Sequence, residues 1–170
     1  MVLVIACTLN AVRAAEDRSP EQRLAALGLT LPVVPASVAN YVPAVRSGNL
    51  VFLAGQVARG AGGKILAGKV GRDCTEAQAA EAARTCALQL LAARKAEKSD
   101  LAKVKRIVRV GGFVNCTAGF TAPPKVINGD SDLLVAVFGD RGRHARTSVR
   151  VAALPGDAPV EIELIVEVAD

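Results

Sequence analysis

Two segments near the end of the chain, residues 144–151 and 160–168, alternate polar and apolar side chains. Alternation with a period of two predicts β-strands, in which side chains two residues apart share a face. One segment carries basic side chains on its polar face, and the other carries acidic ones. A planar guanidinium beside a carboxylate would suit a small anionic substrate. The polar faces comprise Arg146, Ser148 and Arg150 on the first segment, and Glu161, Glu163 and Glu167 on the second.

The residues between these two segments favour a reversal of the chain. Pro155-Gly156-Asp157-Ala158-Pro159 is rich in turn-forming residue types. We therefore predict an antiparallel hairpin in which the arginine face lies beside the glutamate face on one sheet. A plainer interpretation stays open from the pattern alone: Arg150 and Glu163 form a solvent-exposed pair, and such pairs contribute only about 0.2–1 kcal/mol.

The same segments resemble the end of the Rid (YjgF) family of enamine/imine deaminases. The resemblance lies in residues 145–155, which read Ala-Arg-Thr-Ser-Val-Arg-Val-Ala-Ala-Leu-Pro, and in the Val-Glu-Ile-Glu of residues 160–163. Upstream, residues 40–45 and 48–56 are similar to the opening hairpin of that family and to its S-G-Q motif. With two separated motifs in the family's order, the similarity covers roughly residues 35 to 168.

The resemblance implies a hydrolase of the 2-iminobutanoate/2-iminopropanoate deaminase type. In that family a reactive 2-imino or enamine acid is hydrolysed to a 2-keto acid and ammonia, and no cofactor is required. Arg146 matches the family's carboxylate-binding arginine, and a guanidinium can hold a carboxylate through two parallel hydrogen bonds. Glu161 matches the family's catalytic-site glutamate, which would position a water molecule or move a proton.

Five further positions match the substrate-binding part of that family's site. Tyr41 matches an active-site tyrosine, and Asn128 resembles a pocket asparagine beside an apparent insertion. Ala54 replaces the serine of the S-G-Q motif, so backbone groups around Ala54 and Gly55 would have to serve instead. Ser148 stands where the best-known deaminases carry a cysteine. These departures predict a divergent branch of the family with its own substrate preference.

Two other functions stay open. Relatives in this family are also described as endoribonuclease L-PSP and as translation inhibitors, so RNA cleavage is the first alternative. Metal-free RNA cleavage needs a paired general acid and general base. His144, which lies among the arginines of residues 141–146, could supply one of the two groups. We interpret His144 as a surface-loop residue. The second alternative is a non-catalytic trimer in which Arg146 binds 2-keto acids without turnover.

Composition narrows the classes of partner. The 170 residues fit one domain, and the 21 basic and 16 acidic side chains are interspersed despite a net charge of +5. Stacking of single-stranded bases needs aromatic side chains. The chain has few of them: four Phe, one Tyr and no Trp. A nucleic-acid partner is therefore disfavoured. Metal binding is disfavoured too, because the single histidine and the four scattered cysteines, which we interpret as reduced, lack ligand spacing.

The order of predicted elements is hairpin, helix, strand, helix, hairpin. This order predicts an α+β fold with both helices on one face of a mixed sheet. The resemblance makes this a chorismate-mutase-like, six-stranded sheet in a homotrimer, with three sites in the clefts between subunits. The predicted elements are strands at 41–45 and 50–57, a helix from the capping box at Thr75 to about Glu97, a strand at 107–115, and a helix from Pro123 to Gly139.

We place a domain boundary before residue 35. Residues 1–34 are interpreted as an N-terminal extension containing a short helix at 21–27, and residues 35–170 as the Rid-like domain. The apolar run at 1–9 is too short to span a bilayer and lacks a preceding basic region. We therefore expect a cytoplasmic protein with no membrane association, while an organellar presequence, an extra strand and a mis-assigned start stay open.

Overall fold

In the computed structural model, which describes residues 18–34, 39–98 and 100–169, one mixed β-sheet carries helices on one face. The apolar run at residues 1–9 lies outside the described residues, as does Cys7. The helices are α1 (Pro20–Ala26), α2 (Glu76–Lys98) and α3 (Pro123–Phe138). The strands are β1 (Ala44–Ser47), β2 (Leu50–Val57), β3 (Val104–Asn115), β4 (Ala145–Val151) and β5 (Val160–Val168).

Local sequence signals determine where the two long helices begin. The Thr75 N–H donates to Gln78 Oε1 at 2.9 Å, and the Gln78 N–H donates to Thr75 Oγ1 at 3.2 Å. This reciprocal pair is the predicted capping box, and α2 follows it directly. Helix α3 starts at Pro123, whose missing N–H costs nothing in the first turn. Both predicted starts are confirmed.

The strand order is β1-β2-β5-β3-β4, with β3 and β4 parallel and the other neighbours antiparallel. The predicted hairpin of β4 with β5 is therefore wrong, because β3 lies between them. One face of β5 is fully buried and needs a neighbour on each side, whereas the mostly exposed, charged β4 is suited to an edge. The described residues form five strands in this sheet, not the predicted six.

The core lies between the sheet and the two long helices, so the prediction that both helices cover one face is confirmed. Alternate residues of β5 point into this layer and are at most 1% exposed. Small residues of α2 let that helix lie close to the sheet. The core residues include Ala79, Ala83, Cys86 and Leu90 of α2, Val126, Ile127, Leu133 and Leu134 of α3, and Val160, Ile162, Leu164 and Val166 of β5.

The short helix α1 also packs onto this core. Leu24 is only 4% exposed, and Glu21 Oε1 accepts the backbone N–H of Leu101 at 3.0 Å. The helix predicted at residues 21–27 is thus confirmed to within one residue at each end. The domain boundary before residue 35 stays a prediction.

The other face of the sheet has no helix over it among the described residues. This open face carries the Arg109–Glu163 ion pair, with 3.2 Å between Nη1 and Oε1. The open face also carries apolar side chains that remain in contact with solvent. Those more than a third exposed are Val45, Leu50, Phe52 and Val149.

Candidate functional site

Arg146 lies on the helix-covered side of the edge strand β4. Its partner in the parallel register is Val110, whose side chain is fully buried beneath the helices. Arg146 therefore reaches α3, where its Nη1 donates to Asn128 Oδ1 at 2.8 Å and to Ser131 Oγ at 3.1 Å. Asn128 and Ser131 share a helix face because they are three residues apart. The structure thus brings together the predicted Arg146 and Asn128, which lies within α3, and adds Ser131.

The two contacts leave one edge of the Arg146 guanidinium available. Nη1 carries two hydrogens, and Asn128 and Ser131 provide one acceptor each. No described residue accepts a hydrogen bond from Nε or Nη2 of Arg146. These two nitrogens form the edge that binds a carboxylate through two parallel hydrogen bonds. Since Arg146 is exposed on the protein surface, a dissolved anion can reach that edge.

Ser148 is the next residue on the same side of β4. Its register partner is Gly112, also on the helix-covered face. The Ser148 Oγ atom is shielded from solvent and has no hydrogen-bond partner among the described residues. A buried hydroxyl without a hydrogen-bond partner destabilises the folded state unless a ligand or a water molecule forms a hydrogen bond with it.

Glu161 lies on the open face, with Val57 and Phe113 as its register partners. Its carboxylate lies across Gly55, where any Cβ would clash with Oε1. A break in the β2–β5 register between Leu53 and Gln56 places Gly55 there. Burial, and secondarily the charge of Glu163, raises the pKa of Glu161. A carboxyl group with a raised pKa can exchange protons closer to neutral pH.

The remaining predicted residues are Ala54 and Tyr41. Ala54 adjoins Gly55, and its backbone N–H already donates to the Pro43 carbonyl at 2.9 Å. That N–H is therefore not free to replace the family's serine hydroxyl. Tyr41 is two residues before Pro43, outside β1, and is 52% exposed. The strand predicted to start at Tyr41 begins three residues later, at Ala44.

The prediction that Arg146 and Glu161 share a sheet face is wrong. Arg146 is level with Val110 on the helix-covered face, whereas Glu161 is level with Phe113 on the open face. Because β3 separates their strands, the two Cα atoms lie two strand spacings and about three residues apart. That amounts to roughly 14 Å, on opposite sides of the sheet. A three-carbon substrate cannot contact both side chains within one chain.

The alternative interpretation, an exposed pair of Arg150 with Glu163, is also wrong. Glu163 is the register partner of Gly111 on β3, and its ion-pair partner is Arg109 of that strand. Arg150 lies on β4, beyond β3, and on the other face. Both members of the observed pair are 42% exposed, so it stabilises the fold by at most about 1 kcal/mol.

His144 is half-buried and takes part in the Arg146 network, so its interpretation as a surface-loop residue is corrected. Its Nδ1 is 2.7 Å from the Gly142 carbonyl oxygen, and its Nε2 is 3.1 Å from Ser131 Oγ. A carbonyl can only accept, so Nδ1 carries the proton and the Nε2 lone pair accepts the Ser131 hydroxyl. Burial is the main cause that lowers the pKa of the imidazole, and the Arg146 charge lowers it further.

Asp130, next to this network on α3, is a buried carboxyl group. The residue is fully inaccessible to solvent, and neither carboxyl oxygen has a hydrogen-bond partner among the described residues. Burial raises the pKa of Asp130 to about 8, although the charge of Arg146 acts in the opposite direction. Asp130 is therefore mostly protonated at pH 7. The sequence analysis missed both Asp130 and Ser131; the spacing of Ser131 from Asn128 on a predicted helix was the available signal.

A separate concavity of about 520 Å³ lies between α2 and the loop after β2. None of the predicted site residues lines it. Gln89 does, and its Oε1 is buried with no partner among the described residues. The lining residues are Pro32, Val33, Arg59, Gly60, Gly62, Gly63, Thr85 and Gln89.

Three further observations concern metal ligands, membrane-spanning helices and cysteines in the described region. Within it, no three His, Cys, Asp or Glu side chains come close enough together to hold a metal ion. None of the helices in the same part of the chain is both long and apolar enough to cross a membrane. Cys74, Cys86 and Cys116 are free thiols.

Comparisons with known proteins agree on one family. The family model described as "YjgF/chorismate mutase-like, putative endoribonuclease" matches residues 21–168. Protein TCP17 of Trypanosoma cruzi is 42% identical over 142 residues, which are 83% of this chain and 89% of that protein. The chain therefore belongs to the YjgF family, and the predicted family and α+β fold are confirmed.

Two crystal structures support the same conclusion. Atu1372 of Agrobacterium tumefaciens, a protein of unknown function, is 44% identical with a TM-score of 0.82, over 92% of this chain and 97% of that one. A "putative endoribonuclease" from Shewanella oneidensis is 33% identical with a TM-score of 0.85, over 89% of this chain and 100% of that one.

Asp130 should make the stability of the fold depend on pH. Its carboxyl group ionises near 3.8 in the unfolded chain and near 8 in the folded one, so the folded state holds one more proton between those values. Stability should fall as pH rises from about 4 to about 8 and level off above that. Asp130→Asn should remove this fall and stabilise the protein at pH 8, by at most about 5 kcal/mol. Urea unfolding at pH 4, 6 and 8 measures the difference.

Asp132→Asn, on the exposed side of the same helix, is the matched control. Equal pH profiles for wild type and Asp130→Asn, or an identical effect of Asp132→Asn, would contradict the assignment of this dependence to the buried carboxyl group.

Proposed function

We propose that the chain hydrolyses reactive 2-imino acids to 2-keto acids and ammonia at a site shared between subunits. The observation that carries the proposal is the anchored Arg146 guanidinium with its unoccupied Nε and Nη2 edge. The unpartnered Ser148 hydroxyl beside it supports a ligand site there. The substrate carboxylate binds the Arg146 edge, in a charge-assisted contact worth about 1.5–3 kcal/mol.

The reaction adds water across the C=N bond and then breaks the C–N bond. Protonation of the imine nitrogen makes C2 electrophilic, and a water molecule attacks it while losing a proton. A second proton transfer to nitrogen lets ammonia leave as the C=O bond forms, and the hydroxyl proton is released to solvent, which returns the proton taken up by the imine. Glu161, with its raised pKa, is suited to accept the proton from water and to return it to nitrogen. None of these steps needs a cofactor.

A shared site reconciles these roles with the geometry. Arg146 and Glu161 lie on opposite sides of one sheet, too far apart for a small substrate to contact both. A second subunit could bring its open face, which carries Glu161, Gly55 and the exposed Phe52, against the Arg146 edge. Exposed apolar side chains on an uncovered sheet suit a subunit interface. The homotrimer that the family resemblance implies would contain three such sites.

The alternative of RNA cleavage rests on the names of relatives. The family description and the Shewanella oneidensis protein both carry the word endoribonuclease. Cleavage without a metal needs a general acid and a general base at the scissile phosphate. The chain has one histidine, and both of its ring nitrogens have partners within the chain. The geometry therefore favours deamination.

Deaminase activity should depend on Arg146. We would generate 2-iminopropanoate and 2-iminobutanoate in situ with an amino-acid oxidase and follow 2-keto acid and ammonia release. Arg146→Ala should lower kcat/KM roughly 10- to 100-fold, because the lost bonds to the carboxylate are worth about 1.5–3 kcal/mol. Arg150→Ala removes the same charge from another exposed residue on the same, helix-covered side of β4 and is the matched control.

Two results would contradict the proposal. Full activity in Arg146→Ala would exclude the carboxylate role, and wild-type protein without any acceleration would exclude the reaction. Thermal stabilisation by pyruvate without ammonia release would then favour the non-catalytic binding trimer. RNA binding that weakens steeply with salt, together with cleavage of the RNA, would favour the nuclease.

The shared site can be tested with mixed oligomers. Arg146→Ala and Glu161→Gln subunits, each strongly impaired alone, should recover activity when unfolded and refolded together. A trimer assembled at random pairs an intact Arg146 with an intact Glu161 at one interface in four, so activity should reach roughly a quarter of wild type. Mixing Arg146→Ala with the double variant Arg146→Ala/Glu161→Gln is the control, because no interface then contains Arg146. No recovery in the first mixture would contradict a site that Arg146 and Glu161 share between subunits.

A further inference from the structure

A continuous chain of hydrogen bonds leads from the backbone to the guanidinium of Arg146. The Gly142 carbonyl accepts the Nδ1–H of His144, and His144 Nε2 accepts the hydroxyl of Ser131. The Ser131 oxygen then accepts Nη1 of Arg146, whose other Nη1 hydrogen bonds to Asn128. Every donor in this chain has one acceptor, so the arrangement has a single direction.

The direction matters because Ser131 must act as an acceptor toward Arg146. A serine within a helix ordinarily turns its hydroxyl back to the carbonyl four residues earlier, which for Ser131 is that of Ile127. The Nε2 lone pair of His144 instead holds the hydroxyl hydrogen and leaves an oxygen lone pair for Nη1. Arg146 is a long, exposed side chain that would otherwise sample many rotamers, each with a different edge outward.

We propose that His144 is a positioning residue: through Ser131 it fixes Nη1 of Arg146, so that the Nε and Nη2 edge faces the substrate carboxylate. His144 does not touch the substrate in this role. The inference rests on the proposed function only for the identification of the ligand as a substrate carboxylate. The coupling of His144 to Arg146 rests on the hydrogen bonds alone. Preorganising the guanidinium lowers the entropy lost when the anion binds.

The coupling can be measured without any substrate, because His144 is the only histidine in the chain. Nitrogen-15 NMR of the protein labelled at histidine should show a single imidazole, protonated at Nδ1 and not at Nε2, at pH 7.5. Ser131→Ala and Arg146→Ala should each shift the Nε2 resonance. A ring protonated at Nε2, or an Nε2 resonance that neither substitution moves, would overturn the proposal.

The functional consequence can be measured with pyruvate as the carboxylate probe. His144→Phe removes the acceptor for Ser131 and should weaken pyruvate binding about 5- to 10-fold, as expected for one hydrogen bond. His144→Gln offers a carbonyl oxygen near the position of Nε2 and should restore most of the affinity. Arg143→Gln, which changes the charge next to His144 without touching the network, is the control. Calorimetric titration of the folded oligomer gives each Kd.

The outcomes separate this inference from the proposed function. Pyruvate binding that requires Arg146 but is equal in wild type and His144→Phe would overturn the positioning role and leave the proposed function intact. Equal weakening by His144→Phe and His144→Gln would mean that ring packing, not the acceptor, is what matters. Wild-type protein that does not bind pyruvate would count against the proposed function, and the NMR coupling would still decide whether His144 positions Arg146.

Discussion

The pairing of β3 with both β4 and β5 determines where the polar side chains of the site point. If β4 and β5 were direct neighbours, their basic and acidic faces could form a ladder across one surface. With β3 between them, the register turns Arg146 towards α3 and leaves Glu161 on the open face. One strand thus separates Arg146, the proposed anion-binding group, from Glu161, the proposed proton-transfer group. A second subunit is the simplest way to bring both to one ligand.

Each half of the site depends on a different means of orientation. On the helix-covered side, Arg146 donates hydrogen bonds to Asn128 and Ser131 of α3, and His144, in the segment before β4, accepts the Ser131 hydroxyl. On the open face, glycines provide the space. Glu161 folds across Gly55 and Glu163 folds across Gly111, and in each case a Cβ would clash with the carboxylate. Burial raises the pKa of Glu161, and the charge of Glu163, two residues further along the same face of β5, raises it further.

Local features of this fold could be predicted from the sequence, and strand order could not. Strand β2 was predicted with its correct bounds, and the capping box and Pro123 located the starts of α2 and α3, because each signal lies within a few residues. The neighbours of β4 depend on burial across the whole sheet. The turn-rich residues after β4 are compatible with a hairpin as well as with a step across β3, so they could not settle the pairing.

Only part of the candidate site could be predicted, again because local signals can be read from the sequence and strand order cannot. Motif resemblance identified Arg146 and Asn128, whose side chains do form a hydrogen bond. Glu161 was assigned to the same sheet face as Arg146 because β4 and β5 were wrongly predicted to form a hairpin. Asp130 was missed because an acidic residue on a helix is normally assigned to its exposed side. His144 does lie in the loop before β4, as predicted, but its partial burial and its contact with Ser131 were missed because Ser131 lies on a different element.

The most direct test of the account is a crystal structure of the oligomer with pyruvate bound. We expect the pyruvate carboxylate on the Nε and Nη2 edge of Arg146, with the Glu161 carboxylate of a neighbouring subunit within hydrogen-bond reach of the keto group or of a water molecule beside it. Pyruvate bound away from Arg146, or a Glu161 that faces solvent in every subunit of the assembly, would contradict the account.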